Sequence, residues 1–348
     1  MIISQTPFRI SFFGGGTDYP EYFTQESGAV LGTAIDKFAY LSATHLYSRL
    51  FDYTIRLSYR QVECVSQLEA IQHAPFRECL RAAGVTKSIE VDYTAELPSS
   101  VGLGTSSTFV VGTLNVLNAF AGHVVHPLEM AYQAIRIERE VLGEAVGCQD
   151  QTFAAMGGFN LIEFRAVDDI VVHRLPLRAP LLKEFDAHLL LLFTGIRRRA
   201  SQVAVKQVER IPRNVQRLRQ MRAIVDEGYH VLTGGGSLAA FGHLLHKTWT
   251  LKSQLDDSVS NGYINEIYRT GLEHGALGGK LLGAGGGGFV LFFVPPEKRS
   301  EVRRALSSLE EVPVRVNSPG TRIIHAEAGG YYETDSRPAD GDDRQQAA

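Results

Sequence analysis

The carboxylate of Glu138 occupies a position where a helix normally places an apolar side chain. A helix predicted to begin at Pro127 carries its apolar stripe at spacings of three and four residues, and Glu138 falls on that stripe. A buried carboxylate needs a partner, which here would be either Mg²⁺ or an arginine such as Arg136 or Arg139. Because Mg²⁺ accepts one or two carboxylates together with phosphate oxygens, one glutamate and one serine hydroxyl would be sufficient.

Asp150 lies in the short polar segment Gly-Cys-Gln-Asp-Gln, after a glycine and before a stretch of small residues. An aspartate in such a turn is often an N-cap, because its carboxylate accepts backbone N–H groups of the helix that follows. The chemical alternative is a base that orients a substrate hydroxyl and accepts its proton. The segment alone leaves both interpretations open.

A third group of polar residues lies near the N-terminus, where Arg9 precedes the run Gly15, Gly16, Thr17 and Asp18. The Asp18 carboxylate could accept hydrogen bonds from the hydroxyls of a sugar. The alternative is a glycine turn closed by an aspartate, with no ligand.

Three consecutive arginines, Arg197, Arg198 and Arg199, follow a predicted buried strand and a glycine. Guanidinium forks bind phosphate oxygens in pairs, so a sugar phosphate would suit the first two of these side chains. The alternative is a solvated run of charge at the start of a helix.

Two glycine-rich loops could hold phosphates. The first, residues 98–107 (Pro-Ser-Ser-Val-Gly-Leu-Gly-Thr-Ser-Ser), follows a strand and opens a buried helix, whose N-terminus suits an anion. Its alternative role is an ordinary helix cap. The second, residues 283–288, has five glycines in six residues, which indicates that a ligand or another segment packs on its backbone. A strand follows this loop, whereas the glycine-rich loop of a Rossmann dehydrogenase leads into a helix, so the sequence argues against that class of enzyme. The proposed cofactor-binding residues are Pro98, Gly102, Leu103, Gly104, Thr105, Ser106, Ser107, Gly285 and Gly286.

The elements that must position these groups follow from periodicity. Alternating residues predict a strand over residues 88–97, and an apolar run over residues 188–195 predicts a buried strand that opens a second domain. A long helical region is expected from about residue 199 to residue 228. We therefore expect an α/β chain of two domains, residues 1–187 and 188–334, followed by a polar tail, residues 335–348, whose composition predicts disorder.

Composition narrows the function classes. The 348 residues carry a net charge of −3, which argues against a nucleic-acid or anionic-membrane binder. Three cysteines without a close pair suit a reducing compartment. Because neither a signal peptide nor a membrane-spanning apolar run is evident, we expect a cytoplasmic protein.

Three segments, taken in order, resemble the motifs of the GHMP kinase superfamily. These segments are TPFRISFFGGGTDY, PSSVGLGTSS and KLLGAGGGGFVLFF, and Thr105 stands where the family usually has serine. The resemblance covers nearly the whole chain and implies an N-terminal domain like ribosomal protein S5, a ferredoxin-like C-terminal domain, and an active site in the cleft between them. It implies ATP and Mg²⁺ as cofactors.

Residue by residue, the resemblance implies that Ser106 and Glu138 hold Mg²⁺, and that Asp150 is the catalytic base. Arg9 would lie beside Asp150 and keep it ionised. Within the superfamily, the segments IEREVLGEAVGCQDQ and LLFTGIRRRAS make the chain most similar to bacterial D-glycero-D-manno-heptose 7-phosphate kinases.

That resemblance implies ATP-dependent phosphorylation of a sugar phosphate at its anomeric hydroxyl. Two alternatives remain, namely a kinase for an unphosphorylated sugar such as fucose, arabinose or galactose, and a non-catalytic sugar or nucleotide sensor. The expected partners are ATP and a small-molecule sugar phosphate, without nucleic acid or membrane, and a homodimer is left open.

Overall fold

The computed structural model describes residues 1–197 and 200–327, without the side chains of residues 200–202. Its strands form two sheets, one of eight strands and one of four. The strands of the large sheet are β1 (Ile2–Phe13), β2 (Gly28–His45), β3 (Ile55–Ser58), β4 (Val62–Val65), β5 (Ile89–Ala95), β6 (Phe159–Ala166), β7 (Asp169–Arg174) and β12 (Arg322–Ala326). The strands of the small sheet are β8 (Leu189–Phe193), β9 (Gly278–Leu281), β10 (Phe289–Phe293) and β11 (Glu310–Glu311).

The helices pack on these two sheets. Those before β8 are α1 (Pro20–Phe23), α2 (Ala74–Ala82), α3 (Thr105–Phe120), α4 (Pro127–Arg136), α5 (Gln149–Met156) and α6 (Ala179–His188). Those after β8 are α7 (Ala200–Glu209), α8 (Ile211–Thr233), α9 (Leu238–Lys252), α10 (Gly262–Glu273) and α11 (Arg299–Ala305).

The large sheet is organised around the long strand β2. Its first half pairs with β6, its second half pairs with β5, and β1 runs along its other edge. These pairings are antiparallel, and within the described residues of this sheet the β3–β5 pair is parallel. Because β1 and β2 are buried for most of their length, they read as apolar runs rather than as a clean alternation. The register between them shifts after Pro7, next to Arg9.

Helix α3 is apolar on nearly every face, as the sequence predicts, and it is buried along most of its length. It packs on β1 and β2 on one side and on α2, α4 and α5 on the other. Its N-terminus, immediately after Gly104, therefore opens at the end of the large sheet next to β1. This placement lets the first glycine loop, residues 98–107, meet side chains from β1 and α5; it is called the phosphate loop below, after its proposed role.

The small sheet has the strand order β11-β8-β10-β9, and each neighbouring pair is antiparallel. The apolar run at residues 188–195 contains the expected strand, β8, which spans Leu189–Phe193, while His188 ends α6. The long helical region expected from about residue 199 to 228 consists of two helices that meet at Arg210, and the second continues to Thr233. Pro212 explains the break, since proline lacks a backbone N–H and suits the first turn of a new helix.

The last described strand, β12, pairs with β1 and so returns to the large sheet. The division of the chain at residues 187 and 188 stays a prediction, and the tail at residues 335–348 lies outside the described residues. Among the described helices, none combines the length and apolarity that a membrane span requires. The α/β class and the mixed architecture expected from the sequence are confirmed.

Candidate active site

The central contact of the site is a two-pronged ion pair between Arg9 and Asp150. Arg9 on β1 donates from Nε to Oδ1 of Asp150 at 2.8 Å and from Nη2 to Oδ2 at 2.6 Å. Its Nη1 donates to the carbonyl of Gly102 at 2.7 Å. Asp150 is the second residue of α5 and makes no capping contact there, so the N-cap interpretation is wrong. Its side chain is 24% exposed, which leaves the carboxylate within reach of a ligand.

The phosphate loop wraps around this ion pair. Gly102 and Gly104 have φ values of +85° and +75°, a region that favours glycine. A Cβ at Gly104 would lie 3.2 Å from Oδ2 of Asp150 and 3.3 Å from Cγ of Arg9. Glycine at this position therefore brings the N-terminus of α3 directly against the carboxylate. Since Gly104 supplies no capping side chain, the N–H groups of the first turn suit an anion.

The second glycine loop, residues 283–288, packs directly on the phosphate loop. A Cβ at Gly283 would lie 2.5 Å from Cα of Gly102, and one at Gly288 would lie 2.3 Å from the carbonyl oxygen of Val101. Close packing of another segment on these glycines is thus confirmed. Gly285 and Gly286 contact the backbone of Val259 instead, and the N–H of Gly286 donates to its carbonyl at 2.9 Å.

Asp18 lies in a tight turn, near enough to Asp150 for the two charges to interact. Its Oδ1 accepts the N–H of Gly16 at 2.9 Å, and only 1% of the residue is exposed. Burial raises the pKa of Asp18, and the nearby charge of Asp150 raises it further, against the lowering effect of the Gly16 hydrogen bond. Thr17 is also buried, and its hydroxyl donates to the carbonyls of Gly14 and Ala29.

Glu138 is fully buried, and among the described residues only neutral groups hydrogen-bond to its carboxylate. It accepts the hydroxyl of Ser107 at 2.8 and 3.1 Å and the side-chain amide of Gln151 at 2.5 Å. Burial raises its pKa to about 8, although both hydrogen bonds oppose this rise. The arginine partner considered from the sequence is wrong, because Arg139 pairs with Glu21 and Arg136 lies beside Glu140.

The segment after α4 explains how Glu138 points inward. Residues 137–141 form one π-helical turn, in which the N–H of Leu142 donates to the carbonyl of Ile137 at 2.9 Å. The wider turn replaces the regular helix expected through residue 142. Single π turns are often found at functional sites, because they redirect one side chain without ending the helix.

The surroundings of Glu138 fit a hard divalent cation. The side-chain oxygen of Gln151, Oε1, is buried and has no hydrogen-bond partner among the described residues. This amide oxygen and the carboxylate oxygens of Glu138 are both of the kind that Mg²⁺ prefers as ligands. No cluster of three or more acidic, histidine or cysteine ligands occurs among residues 1–197 and 200–327. Phosphate oxygens would therefore have to complete the coordination of Mg²⁺. Ser106 is exposed in the first turn of α3, whereas Ser107 is the serine that contacts Glu138.

Of the three consecutive arginines proposed to bind phosphate, the structure describes Arg197. Arg197 is exposed and follows Ile196, whose carbonyl accepts the N–H of Gly288 at 2.8 Å. It therefore lies close to the end of the second glycine loop. Arg198 and Arg199 lie outside the described residues.

Two buried lysines, Lys252 and Lys280, were missed by the sequence reasoning. Lys280 sits within Gly-Gly-Lys-Leu-Leu, and a charged residue inside an apolar strand was the available signal. Lys252 ends α9 on its buried face and gave no comparable signal. Gln151 was missed as well, since a glutamine next to Asp150 has no distinctive pattern.

Comparisons with known proteins agree with this geometry. Residues 69–158 match the N-terminal domain of GHMP kinases, and residues 223–311 match the C-terminal domain of GHMP kinases. The chain is 31% identical over 318 residues to the D-glycero-alpha-D-manno-heptose 7-phosphate kinase of Campylobacter jejuni, covering 88% of this chain and 93% of the relative. It is also 27% identical to the L-fucokinase/L-fucose-1-P guanylyltransferase of Bacteroides fragilis, covering 93% of this chain but 37% of that larger protein.

A similar fold occurs in a solved D-glycero-D-manno-heptose 1-phosphate kinase from Bacteroides thetaiotaomicron, with a TM-score of 0.76 and 23% identity. The match covers 94% of this chain and all of that structure, so the likeness concerns the whole fold. With both domain matches in order and a relative at 31% identity, the chain belongs to the GHMP kinase family.

Proposed function

We propose that this protein is an ATP- and Mg²⁺-dependent kinase that phosphorylates the anomeric hydroxyl of a sugar phosphate in the cytoplasm. The proposed substrate is D-glycero-D-manno-heptose 7-phosphate, and the proposed product is its 1,7-bisphosphate. The observation that carries the proposal is the carboxylate of Asp150, held by Arg9 directly against Gly104 at the start of α3. The 31% identity to a heptose 7-phosphate kinase supports the choice of sugar.

In this mechanism Asp150 orients the substrate hydroxyl and accepts its proton as the oxygen attacks the γ-phosphorus of ATP. The bond from that phosphorus to the bridging oxygen breaks, and ADP leaves. Arg9 fixes both carboxylate oxygens, so that one carboxylate orientation is available for the hydroxyl. The N–H groups at the start of α3 bind phosphate oxygens, with Gly102 and Gly104 allowing the close approach.

Glu138 and Ser106 are the proposed Mg²⁺ ligands, with Ser107 and Gln151 holding the glutamate in place. When bound, Mg²⁺ would neutralise the phosphate oxygens and align the γ-phosphoryl group. Gly15, Gly16 and Thr17 would shape the sugar site beside Asp18, and Gly285 and Gly286 of the second glycine loop are the remaining proposed cofactor-binding residues.

The substrate assignment is tested by measuring ADP release with Mg²⁺ and ATP on a panel of sugars and their terminal phosphates. The panel pairs heptose 7-phosphate with the free heptose and includes L-fucose, L-arabinose and D-galactose. Preferred turnover of heptose 7-phosphate supports the proposal. Preferred turnover of an unphosphorylated sugar would favour the alternative that the Bacteroides fragilis relative suggests. ATP binding without turnover on any sugar would favour a sensor.

Recognition of the terminal phosphate is proposed for Arg197 together with Arg198. Replacing both by alanine is expected to raise KM for heptose 7-phosphate about tenfold, because a guanidinium–phosphate contact contributes more than one kcal/mol. KM for ATP should stay unchanged. An unchanged KM for the sugar phosphate would remove these arginines from the site.

A further inference from the structure

Two lysines of the second half of the chain are buried beside the active site without a carboxylate in salt-bridge contact. Lys252 is 5% exposed at the end of α9, and Lys280 is 2% exposed on β9. Within residues 1–197 and 200–327, neither ammonium group lies within ion-pair distance of an acidic side chain. Burying a cation is costly, so each lysine must be compensated by backbone carbonyls or by charges farther away.

The two lysines bind different parts of the chain. Nζ of Lys280 donates to the carbonyls of Ser11 at 2.8 Å and Phe12 at 3.0 Å, and so joins the small sheet to the end of β1. Nζ of Lys252 donates to the carbonyl of Gly283 and, at 3.5 Å, to that of Leu281. Lys280 therefore connects the two sheets, whereas Lys252 holds the second glycine loop.

The carbonyl that Lys252 binds belongs to the residue at which the two glycine loops meet. Gly283 contacts Gly102 backbone to backbone, and a Cβ at Gly102 would lie 2.4 Å from the carbonyl oxygen of Leu282. Gly102 in turn accepts the third hydrogen bond of Arg9 at 2.7 Å. One short path of direct contacts thus runs from Lys252 through both loops to the cation that holds the catalytic carboxylate.

Lys252 also lies within electrostatic reach of the reacting groups. The charged groups that act on it are Arg9 on β1, Asp18 in the tight turn and Asp150 on α5, and it acts in turn on Lys280 of β9. An ammonium group has three donors, and two carbonyls account for the contacts that Lys252 makes here. The charge of Lys252 therefore acts on Arg9, Asp18 and Asp150 while its ammonium group holds the second glycine loop.

We propose that Lys252 is a positioning residue for phosphoryl transfer, which holds the second glycine loop on the phosphate loop and places a positive charge behind that contact. This inference rests on the proposed function, because it assigns Lys252 to the site at which phosphoryl transfer is proposed. By fixing the carbonyl of Gly283, Lys252 fixes the path of Gly102 and Gly104 around the phosphates. Its charge offsets the negative charge that gathers there during transfer.

The ionisation of Lys252 gives this role a pH signature. Burial lowers its pKa to about 8, and the charge of Arg9 contributes to the lowering, while Asp18 and Asp150 oppose it. Above pH 8 the folded protein loses this charge, so kcat should fall. Between pH 8 and the ordinary lysine value of 10.5, the unfolded chain keeps a proton that the folded chain has lost. The contribution of Lys252 to stability therefore rises with pH in the window where activity falls.

The test compares Lys252→Met with Lys247→Met and Lys280→Met. Methionine keeps the length of the side chain and removes the charge. Lys247 is the matched control, because it lies on the same helix but is exposed and paired with Glu227. Lys280 controls for the burial of a lysine. For each protein, kcat and KM are measured from pH 6.5 to 9.5, together with thermal unfolding.

Lys252→Met is expected to lower kcat about tenfold, less than the roughly 100-fold cost of removing a donor that touches the reacting oxygen. It should also lose the fall of kcat near pH 8 and unfold at the same or a higher temperature than the wild type. Lys280→Met should keep the fall near pH 8, and Lys247→Met should match the wild type. An unchanged kcat and pH profile in Lys252→Met would overturn the proposal.

Two further measurements separate this proposal from the proposed function. If the wild type turns over no sugar phosphate, the substrate assignment fails, and the role of Lys252 is then measured from Mg·ATP affinity by calorimetry. Lys252→Met should weaken that affinity about fivefold, because the phosphate loop loses its support. An unchanged affinity would overturn the positioning role. If Lys252→Met does not fold, the wild type alone provides the test: a kcat that stays constant from pH 7 to 9 would contradict the proposed role of Lys252.

Discussion

The two carboxylates of the site, Asp150 and Glu138, lie near the same helix N-terminus but are stabilised in opposite ways. Asp150 is partly exposed and held at both oxygens by Arg9. Glu138 is fully buried and, within the part of the chain that the structure describes, accepts hydrogen bonds only from the hydroxyl of Ser107 and the amide of Gln151. Asp150 is thus paired with a cationic side chain, whereas Glu138 is hydrogen-bonded to neutral side chains.

This difference indicates which carboxylate awaits a ligand. A charge that already has its partner keeps its position before the substrate arrives, which suits a group that must orient a hydroxyl. A buried carboxylate with neutral partners pays an energetic cost until a cation binds. Mg²⁺ with bound ATP would remove that cost at Glu138, so folding free energy and metal binding should be coupled there and uncoupled at Asp150.

The largest expected effect follows from Asp150→Asn, which keeps the size of the side chain and removes its charge. An amide cannot accept the proton of the substrate hydroxyl, so kcat should fall about 1,000-fold while Mg·ATP affinity changes little. The measurement is steady-state turnover of heptose 7-phosphate, with calorimetry for Mg·ATP. A decrease of less than threefold in kcat would mean that Asp150 does not act as a base.

Glu138→Gln is expected to lower kcat about 100-fold, through loss of the metal ligand rather than of the base. The variant should still fold, because Gln151 can rotate its amide so that Oε1, which has no partner now, accepts from the new side chain. The discriminating measurement is the Mg²⁺ concentration for half-maximal rate, which should rise in Glu138→Gln and remain constant in Asp150→Asn. If both variants show the same Mg²⁺ requirement, the contrast between the carboxylates is wrong.

The same variant gives a stability prediction with a definite sign. The pKa of Glu138 is about 8 in the folded chain and 4.5 ordinarily, so the folded chain holds a proton that the unfolded chain loses between these values. The stability contribution of Glu138 is present below pH 4.5 and is lost as pH rises through 8. In a chelating buffer at pH 8, Glu138→Gln should therefore unfold a few degrees higher than the wild type. The two proteins should coincide at pH 4.5, and a lower unfolding temperature for the variant at pH 8 would contradict the argument.

Arg9→Lys tests the other half of the comparison by keeping the charge and removing the fork. A lysine cannot bind both oxygens of Asp150 and the carbonyl of Gly102 together, so kcat should fall about tenfold and KM for ATP should rise. Arg56→Lys is the control, because Arg56 pairs with Glu90 on β5 of the same sheet. Equal losses in both variants would mean that the fork at Arg9 has no special role.

The sequence alone could locate the backbone features of this site well. Glycines at 102 and 104 before an apolar helix indicated a loop suited to phosphate, and five glycines before a strand indicated that a ligand or another segment packs on them. The structure shows that the second loop packs on the first. Such features are local, because φ values and helix starts depend on neighbouring residues. The apolar run that became β8 was predictable for the same reason.

Partners that come from distant segments could not be predicted in this way. The stripe position of Glu138 showed that it would be buried, but nothing in the pattern selected Gln151 over a nearby arginine. Lys252 meets Gly283, thirty-one residues later, only because α9 packs on β9. The break at Arg210 was missed because the apolar stripe continues through Pro212 and conceals the change of helix.

The smallest expected effects separate two neighbouring serines, of which the family resemblance assigns Ser106 to the metal while the structure places Ser107 on Glu138. Ser106→Ala should raise the Mg²⁺ requirement about fivefold without moving the pH profile, since it removes a ligand and leaves Glu138 as it is. Ser107→Ala should shift the acidic limb of the profile of kcat against pH to higher pH. The hydrogen bond that this change removes lowers the pKa of Glu138 in the wild type, so its loss raises that pKa. If instead only Ser107→Ala changes the Mg²⁺ requirement, Ser107 is the ligand and the assignment of Ser106 is wrong.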